Sequence, residues 1–502
     1  MSGSGWGTSE PVMNPEPEPA NRFSFAVPLI VGCALFMQTL DSTVIAVALP
    51  AIAKSMHQDP IRLNLAITSY LLSLAVFIPI SGWVADRFGA RTVFRAAIII
   101  FTLGSALCAL ATSLSQLIGA RVVQGFGGAM MVPVGRILVL KSVSKTDLVD
   151  AMSYLTVPAV FGPVVGPPVG GFIVTYASWR WIFLINVPIG ILGVALVTIY
   201  ISDFREEGVF PLDLQGFLLT GLGLAGLMFG IETIGRGMLP VWVVAGALVS
   251  GTMCLTLYVF HSRRVSNPIV DLSLMRIPTF AEATVSGSLA RMGIGALPFL
   301  LAMLLQIVFG LTPFGSGMIT FASAAGALLM KPTAAPIIRR WGFRRVLVGN
   351  GLISGLILMT YALFRPSTPY IVIILTLFIG GFFRSLQFTC LGTLTYADVP
   401  PSMMSSASTL ASMAQQLSLS FGVTTAAIML HLSLHLRGAR TLETRDFIAA
   451  FILTGVLALI SALLFLRLSS DAGWELSGHE QIAVRETTEV AEAVTEAAAE
   501  AD

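Results

Sequence analysis

The sequence predicts an all-α polytopic membrane protein, and three observations carry that prediction. Of 502 residues, 55% are hydrophobic and only 11% are charged, whereas a soluble domain carries roughly 25% charged residues. The mean hydropathy is +0.85, which excludes disorder for the bulk of the chain, because disorder needs low hydrophobicity. Breaking the chain at charges, prolines and glycine turns leaves fourteen apolar runs, each near the ~20 residues a helix needs to cross a hydrocarbon core. Strands of a membrane barrel are about half as long and alternate polar with apolar residues. A formal net charge of +2 without a basic tract argues against nucleic acid as a partner.

The first seven runs are Phe25–Leu49, Leu65–Ala85, Val93–Ser113, Leu114–Leu138, Met152–Tyr176, Trp181–Ile201 and Leu214–Ile234. The second seven are Val241–Phe260, Phe280–Val308, Gly315–Ile338, Val346–Leu363, Tyr370–Leu394, Ser405–Leu432 and Phe447–Leu466. Their connections are too short to bury a core of their own. With the N-terminus taken as cytoplasmic, the cytoplasmic connections hold fifteen Lys and Arg and the opposite side eight. This bias places both termini in the cytoplasm, since the span count is even. The Pro/Glu-rich start lacks the basic region of a signal peptide, and the chain ends in a soluble Ala/Glu-rich tail. Without residues 1–24 and 470–502, 27 Lys and Arg face 15 Asp and Glu, so the membrane body is +12 and the tail masks it.

An internal echo orders these spans. Ser81–Phe94 joins the second and third runs, and Ala335–Leu347 joins the tenth and eleventh. Both read aromatic–Gly–x–Arg, as Phe88-Gly89-Ala90-Arg91 and Trp341-Gly342-Phe343-Arg344. Such an echo is expected of two parallel six-helix halves related about the membrane normal. The resulting division is an N-terminal segment 1–24, a half 25–203, two inserted helices 204–262, a cytoplasmic connection 263–278, a second half 279–468 and the acidic tail 469–502.

The polar residues inside the runs are few. Gly82, Asp86, Arg87, Gly89 and Arg91 form G-x3-D-R-x-G-x-R between the second and third runs. Its glycines allow close approach and a sharp turn; Asp86 can accept from arginines or cap a helix. Positive-inside charge on a helix turn accounts equally for the arginines. In the fourth run Arg121 precedes Gln124, Gly125 and Gly128. A charge at that depth needs a partner or water, or its side chain must snorkel to the interface. The fifth run holds Gly162, Gly166, Pro167, Gly170 and Gly171, tolerable in lipid where a neighbouring helix satisfies the backbone and suited to tight packing. Asp41 is the single acid of the first run, toward its outer half. Desolvation raises a carboxyl's pKa and a nearby Arg lowers it, so Asp41 is either a proton carrier or half of a fixed ion pair. Arg291, Gln306, Lys331, Arg384, Gln387, Gln415 and Gln416 are further intramembrane polar groups, candidates for a cavity lining or for helix-to-helix hydrogen bonds. Four cysteines stand alone, and His431 and His435 lack a third ligand, so no disulfide framework or metal site is signalled.

Three of these motifs together resemble the major facilitator superfamily. G-x3-D-R-x-G-x-R resembles its loop signature, used in that family as a conformational latch. Arg121-x2-Gln124-Gly125 resembles its proton-coupling helix, and G-x3-G-P-x2-G-G its antiporter motif, found in exporters and generally lacking in importers. Leu40–Pro50 and Ser178–Gly190 resemble the fourteen-helix drug:proton antiporters of the EmrB/QacA type, with Ala46 and Leu65 where that family usually has Asn and Trp. The resemblance implies proton-coupled export of lipophilic compounds across the cytoplasmic (inner) membrane by alternating access. Asp41 and Arg121 would couple the proton, and Gln124, Arg291, Gln306, Arg384, Gln387 and Gln415 are candidates to line the cavity. It implies no cofactor beyond the proton gradient, and it permits a periplasmic adaptor with an outer-membrane channel as partners. The excess of buried basic groups points to neutral or weakly acidic substrates. An importer on the same fold is the nearest alternative. A channel would show a charge or carbonyl ring, and an enzyme a nucleophile elbow, metal cluster or phosphate loop; none is apparent.

Overall fold

A computed structural model describes residues 26–142, 148–202, 211–233, 240–400, 403–439, 441–469 and 472–473. The expected N-terminal segment 1–24, nearly all of the acidic tail, and the connections carrying Lys145, Arg205 and Arg236 lie outside the described residues.

Among the described residues fourteen helices follow one another. They are α1 (Ala26–Ser55), α2 (Pro60–Phe88), α3 (Ala90–Leu110), α4 (Leu114–Ser142), α5 (Leu148–Tyr176), α6 (Trp181–Tyr200), α7 (Leu214–Thr233) and α8 (Val241–Ser262). Then come α9 (Pro278–Val308), a run Pro313–Thr360 that breaks at Gly342 into α10 (313–341) and α11 (343–360), α12 (Tyr370–Leu394), α13 (Met404–Arg437) and α14 (Asp446–Arg467). Among the described residues thirteen stretches are long and apolar enough to cross a membrane. The remaining helix is α5, whose side chains are described only beyond residue 160. Large apolar side chains face outward along the bundle, Trp242 and Ile199 among them, as a lipid-facing surface requires.

The fold is two six-helix halves, α1–α6 and α9–α14, with α7 and α8 inserted between them. Each half repeats the same pairings: α1 with α5, α2 and α3 with α4, and α3 with α6 in the first; α9 with α13, α10 and α11 with α12, and α11 with α14 in the second. Glycines bring the backbones together. A Cβ on Gly104 of α3 would lie 2.6 Å from the Gln124 backbone of α4. The inserted pair packs on itself through Gly226 and Gly251 and reaches the first half where Phe217 meets Phe77 of α2.

The sequence echo is also a structural one, with a shorter link than the sequence suggested. Where the apolar runs leave a gap between Ala85 and Val93, helix continues on both sides and only Gly89 interrupts it. Gly89 has φ 89° and Gly342 has φ 71°, values that suit a residue without Cβ. Two residues after each glycine an arginine ties the loop to the end of the sixth helix of its half. Arg91 donates to the Thr198 carbonyl, and Arg344 donates to the Leu466 carbonyl at 2.9 Å. A cation at a helix C-terminus satisfies orphan carbonyls and favours the helix dipole.

Candidate functional site

The most polar point of the first half is wholly enclosed. Asp41, just past the middle of α1, is 3% exposed, while Arg121 and Gln124 of α4 and Asn186 of α6 are each 0% exposed. Arg121 Nη1 donates to Asp41 Oδ2 at 2.6 Å and to Gln124 Oε1 at 2.6 Å. Gln124 Nε2 and Asn186 Nδ2 donate to Asp41 Oδ1 at 2.9 and 3.0 Å. Arg121 Nε donates to the Ala66 carbonyl at 3.0 Å, and its guanidinium lies 4.2 Å from the centre of the Tyr70 ring. Asn186 also donates to Ser105 Oγ at 2.9 Å, which in turn donates to the Phe183 carbonyl at 2.9 Å. The charges are therefore paired and hydrogen-bonded, the condition under which a low-dielectric interior tolerates them. Snorkelling is not what places Arg121. Arg136, nearer the end of α4, is exposed, and its Nη1 donates to Ser408 Oγ of α13 at 3.1 Å.

Asn186 is the member that sequence reasoning missed. It sits in the apolar stretch Ile182–Gly190 as a lone amide, and nothing in its spacing points at Asp41.

The α5 glycines serve two packing faces. Gly162, Gly166 and Gly170, one helical turn apart, lie against Thr39, Thr43 and Val44 of α1, so an added Cβ would meet those side chains. Gly171 faces the second half instead. A Cβ there would stand 2.5 Å from the Pro313 carbonyl oxygen of α10. From α10, Gly317 lies equally close against Pro167. Around this crossing Phe314 stacks edge-on with Phe172 and Tyr176, and its amide donates to Thr175 Oγ1 at 2.9 Å. Gln306 Nε2 of α9 donates to the Val47 carbonyl of α1 at 2.8 Å. The halves are thus drawn together at the end of the bundle where α10 begins.

Behind this closure lies a cavity of about 610 Å³ between the halves. Thr43, Ala46 and Val47 of α1 and Pro163, Val164 and Pro167 of α5 form its first-half wall. Opposite them stand Leu297, Pro298 and Leu301 of α9, Thr320, Ala324 and Lys331 of α10, Arg384 and Phe388 of α12, and Gln415 of α13. The wall is largely apolar with a few polar groups, the pattern of sites that take drug-sized molecules. One helix connects the two features: α1 turns Asp41 into the first half and, two residues on, turns Thr43 to the cavity.

Of the six residues expected at a cavity, Arg384 and Gln415 line it. Gln124 belongs to the Asp41 network and Gln306 to the closed end. Gln387 is buried and accepts from Asn350 Nδ2 at 2.7 Å. Arg291 is buried in α9 away from this lining. None of these four is on the wall of this cavity; in a membrane bundle, polar groups between helices serve as glue. Among the loop residues Gly82 has open space around it, Asp86 is half-buried, and Arg87 is exposed. A separate ion cluster pins the α13–α14 connection. Arg437 donates to both Asp446 carboxylate oxygens, at 2.8 and 2.5 Å, while Arg437 and Arg445 hold the Glu443 carboxyl below the ordinary glutamate range.

No group of three or more His, Cys, Asp or Glu among the described residues could hold a metal ion.

Comparison with known proteins places this architecture. Residues 31–262 and 283–497 match the Major Facilitator Superfamily. The chain is 38% identical to the putative multidrug resistance protein MdtD of Salmonella dublin over 444 residues, covering 88% of this chain and 94% of that one. It is 39% identical to the protein of the same name from Yersinia enterocolitica over 446 residues, covering 88% and 95%. Among solved structures, a D-xylose-proton symporter superposes with a TM-score of 0.63 at 15% identity, covering 89% of this chain and 98% of that one. A bacterial homologue of the human lysosomal transporter Spinster, solved inward-facing and unoccupied, gives 0.64 at 15% identity, covering 91% and 99%. With both halves matched and relatives spanning nearly the whole length, the chain belongs to the Major Facilitator Superfamily of membrane transporters.

Proposed function

We propose that this transporter is a proton-driven exporter of lipophilic compounds, an antiporter of the EmrB/QacA type. The relatives named as multidrug resistance proteins support the substrate class. The observation that carries proton coupling is the enclosed Asp41–Arg121 pair on the same helix that walls the cavity. Protonating Asp41 removes the charge that Arg121, Gln124 and Asn186 all address. Arg121 is then left without a counter-ion in a dry interior, which is costly, and α1 and α4 must rearrange.

Alternating access supplies the rest. The loop residues Gly82, Asp86, Arg87, Gly89 and Arg91 act as the latch on one face, with Arg91 tied to the end of α6. The glycines of α5 provide bare surfaces on which α1 and α10 move. Under the orientation given by the Lys and Arg bias, both termini are cytoplasmic, the protein sits in the cytoplasmic (inner) membrane, and the α5–α10 closure seals its outer face. A periplasmic adaptor and outer-membrane channel would complete the export route in a two-membrane host.

The test is substrate uptake by energised inverted vesicles carrying wild type or Asp41→Asn. The wild type drives uptake into the vesicles that an uncoupler stops; the variant reaches the membrane and shows none. Uncoupler-sensitive transport by Asp41→Asn would refute the assignment.

A further inference from the structure

The fourth helix of each half carries the same short pattern, seven residues deeper in the second, and among the described residues one copy has an acidic partner. Arg121-x2-Gln124 lies on the fourth helix of the first half, and Arg384-x2-Gln387 lies on the fourth helix of the second. Arg121 is paired with Asp41. Among the described residues the partners of Arg384 are uncharged: Nη1 donates to Tyr361 Oη at 3.0 Å and Nη2 to Ser323 Oγ. Unlike Arg121, Arg384 faces the cavity. Lys331, also on the wall, has Thr389 Oγ1 at 3.3 Å as its partner. The described residues of the lining include two cations and no Asp or Glu. A cation inside the bilayer is costly unless paired or wet, and an arginine fork matches a carboxylate. A bound anion would supply the counter-charge that the described lining lacks.

We propose that the cavity takes an amphipathic organic anion, with its acidic group on Arg384 and its apolar body against α1, α5 and α9. Lys331 lies eight positions beyond Ser323 toward the Gly342 end of α10, roughly 12 Å along the helix axis. It draws the anion in and hands it to Arg384. This rests on the reading of the cavity as the transport site and specifies its substrate class. It does not depend on proton coupling.

The experiment is equilibrium binding of three probes with one aromatic body to the full chain in lipid nanodiscs, with empty discs as the blank. The probes are 2-naphthoate, 2-naphthylmethanol and 2-naphthylmethyl-trimethylammonium. Wild type should bind the naphthoate at least about tenfold more tightly than the alcohol, and the ammonium most weakly. Arg384→Gln should erase the margin over the alcohol while still binding the alcohol. Lys331→Gln should reduce that margin several-fold. Equal binding of all three probes, preference for the ammonium, or a margin that survives Arg384→Gln would overturn the proposal. Because binding is read without a gradient, failure here leaves the Asp41 test standing, and failure of Asp41→Asn leaves this result standing.

Discussion

The two halves share helix pairings and loop geometry but differ in what surrounds the arginine of each fourth helix. In the first, Arg121 is sealed with Asp41, Gln124 and Asn186 in a network with no open face. In the second, Arg384 sits on a cavity wall with hydroxyl partners, and the neighbouring Gln387 has turned to Asn350 of α11. One scaffold, used twice, thus holds an enclosed charge pair in one half and an arginine on a cavity wall in the other. The difference is made by α1, which brings an acid to α4, whereas the described lining brings none to α12.

The sharpest way to break this comparison is to make the same substitution in both halves. Arg121→Gln leaves Asp41 buried without its cation and should cost about 3–5 kcal/mol of stability. Arg384→Gln exchanges one hydrogen-bonding group for another on a cavity wall and should cost less than about 1 kcal/mol. Thermal denaturation of the two purified variants measures the contrast, and equal losses would mean that the second arginine is also paired. A smaller effect tests how the halves meet. Gly171→Ala places a methyl 2.5 Å from the Pro313 carbonyl oxygen, where backbone cannot yield as a side chain can. The closed end should open more often, and a cysteine at the buried Ser316, as Ser316→Cys in a cysteine-free background, should react severalfold faster with an impermeant maleimide, a shift of roughly 1 kcal/mol. Unchanged labelling would show that this crossing does not limit opening. The smallest effect probes what the halves have in common. Arg91→Ala and Arg344→Ala each remove one bond to the end of a sixth helix, worth about 0.5–1.5 kcal/mol. The two losses should match within error in the same melting assay; a several-fold disparity would show that only one loop works as a latch.

Much of the architecture was legible because the bilayer imposes a length. The fourteen runs correspond to fourteen helices, and the echo around Gly89 and Gly342 marked two halves before any contact was known. Asp41 and Arg121 stood out because charge in an apolar run is expensive and therefore scarce. The rotation of each helix was not legible. A soluble helix shows its buried face by a polar stripe on the other side, but a helix in lipid is apolar on both. Gln124, Gln306, Gln387 and Arg291 thus looked alike in sequence, yet one joined the ion-pair network, one closed the end of the bundle and two were enclosed by neighbouring helices. Asn186 was overlooked for the same reason.

By itself, then, the sequence determined how many times this chain crosses the membrane, where its scarce charges lie, and that it is built as a repeat. Those properties follow from the cost of polar groups in hydrocarbon, which acts residue by residue. Which charge found a partner was decided only by tertiary packing: glycines let α1, α4 and α5 approach until Asp41 met Arg121, and the gap between the halves left Arg384 on a cavity wall. Pairing depends on the distance between helices far apart in sequence, and no local pattern encodes that distance.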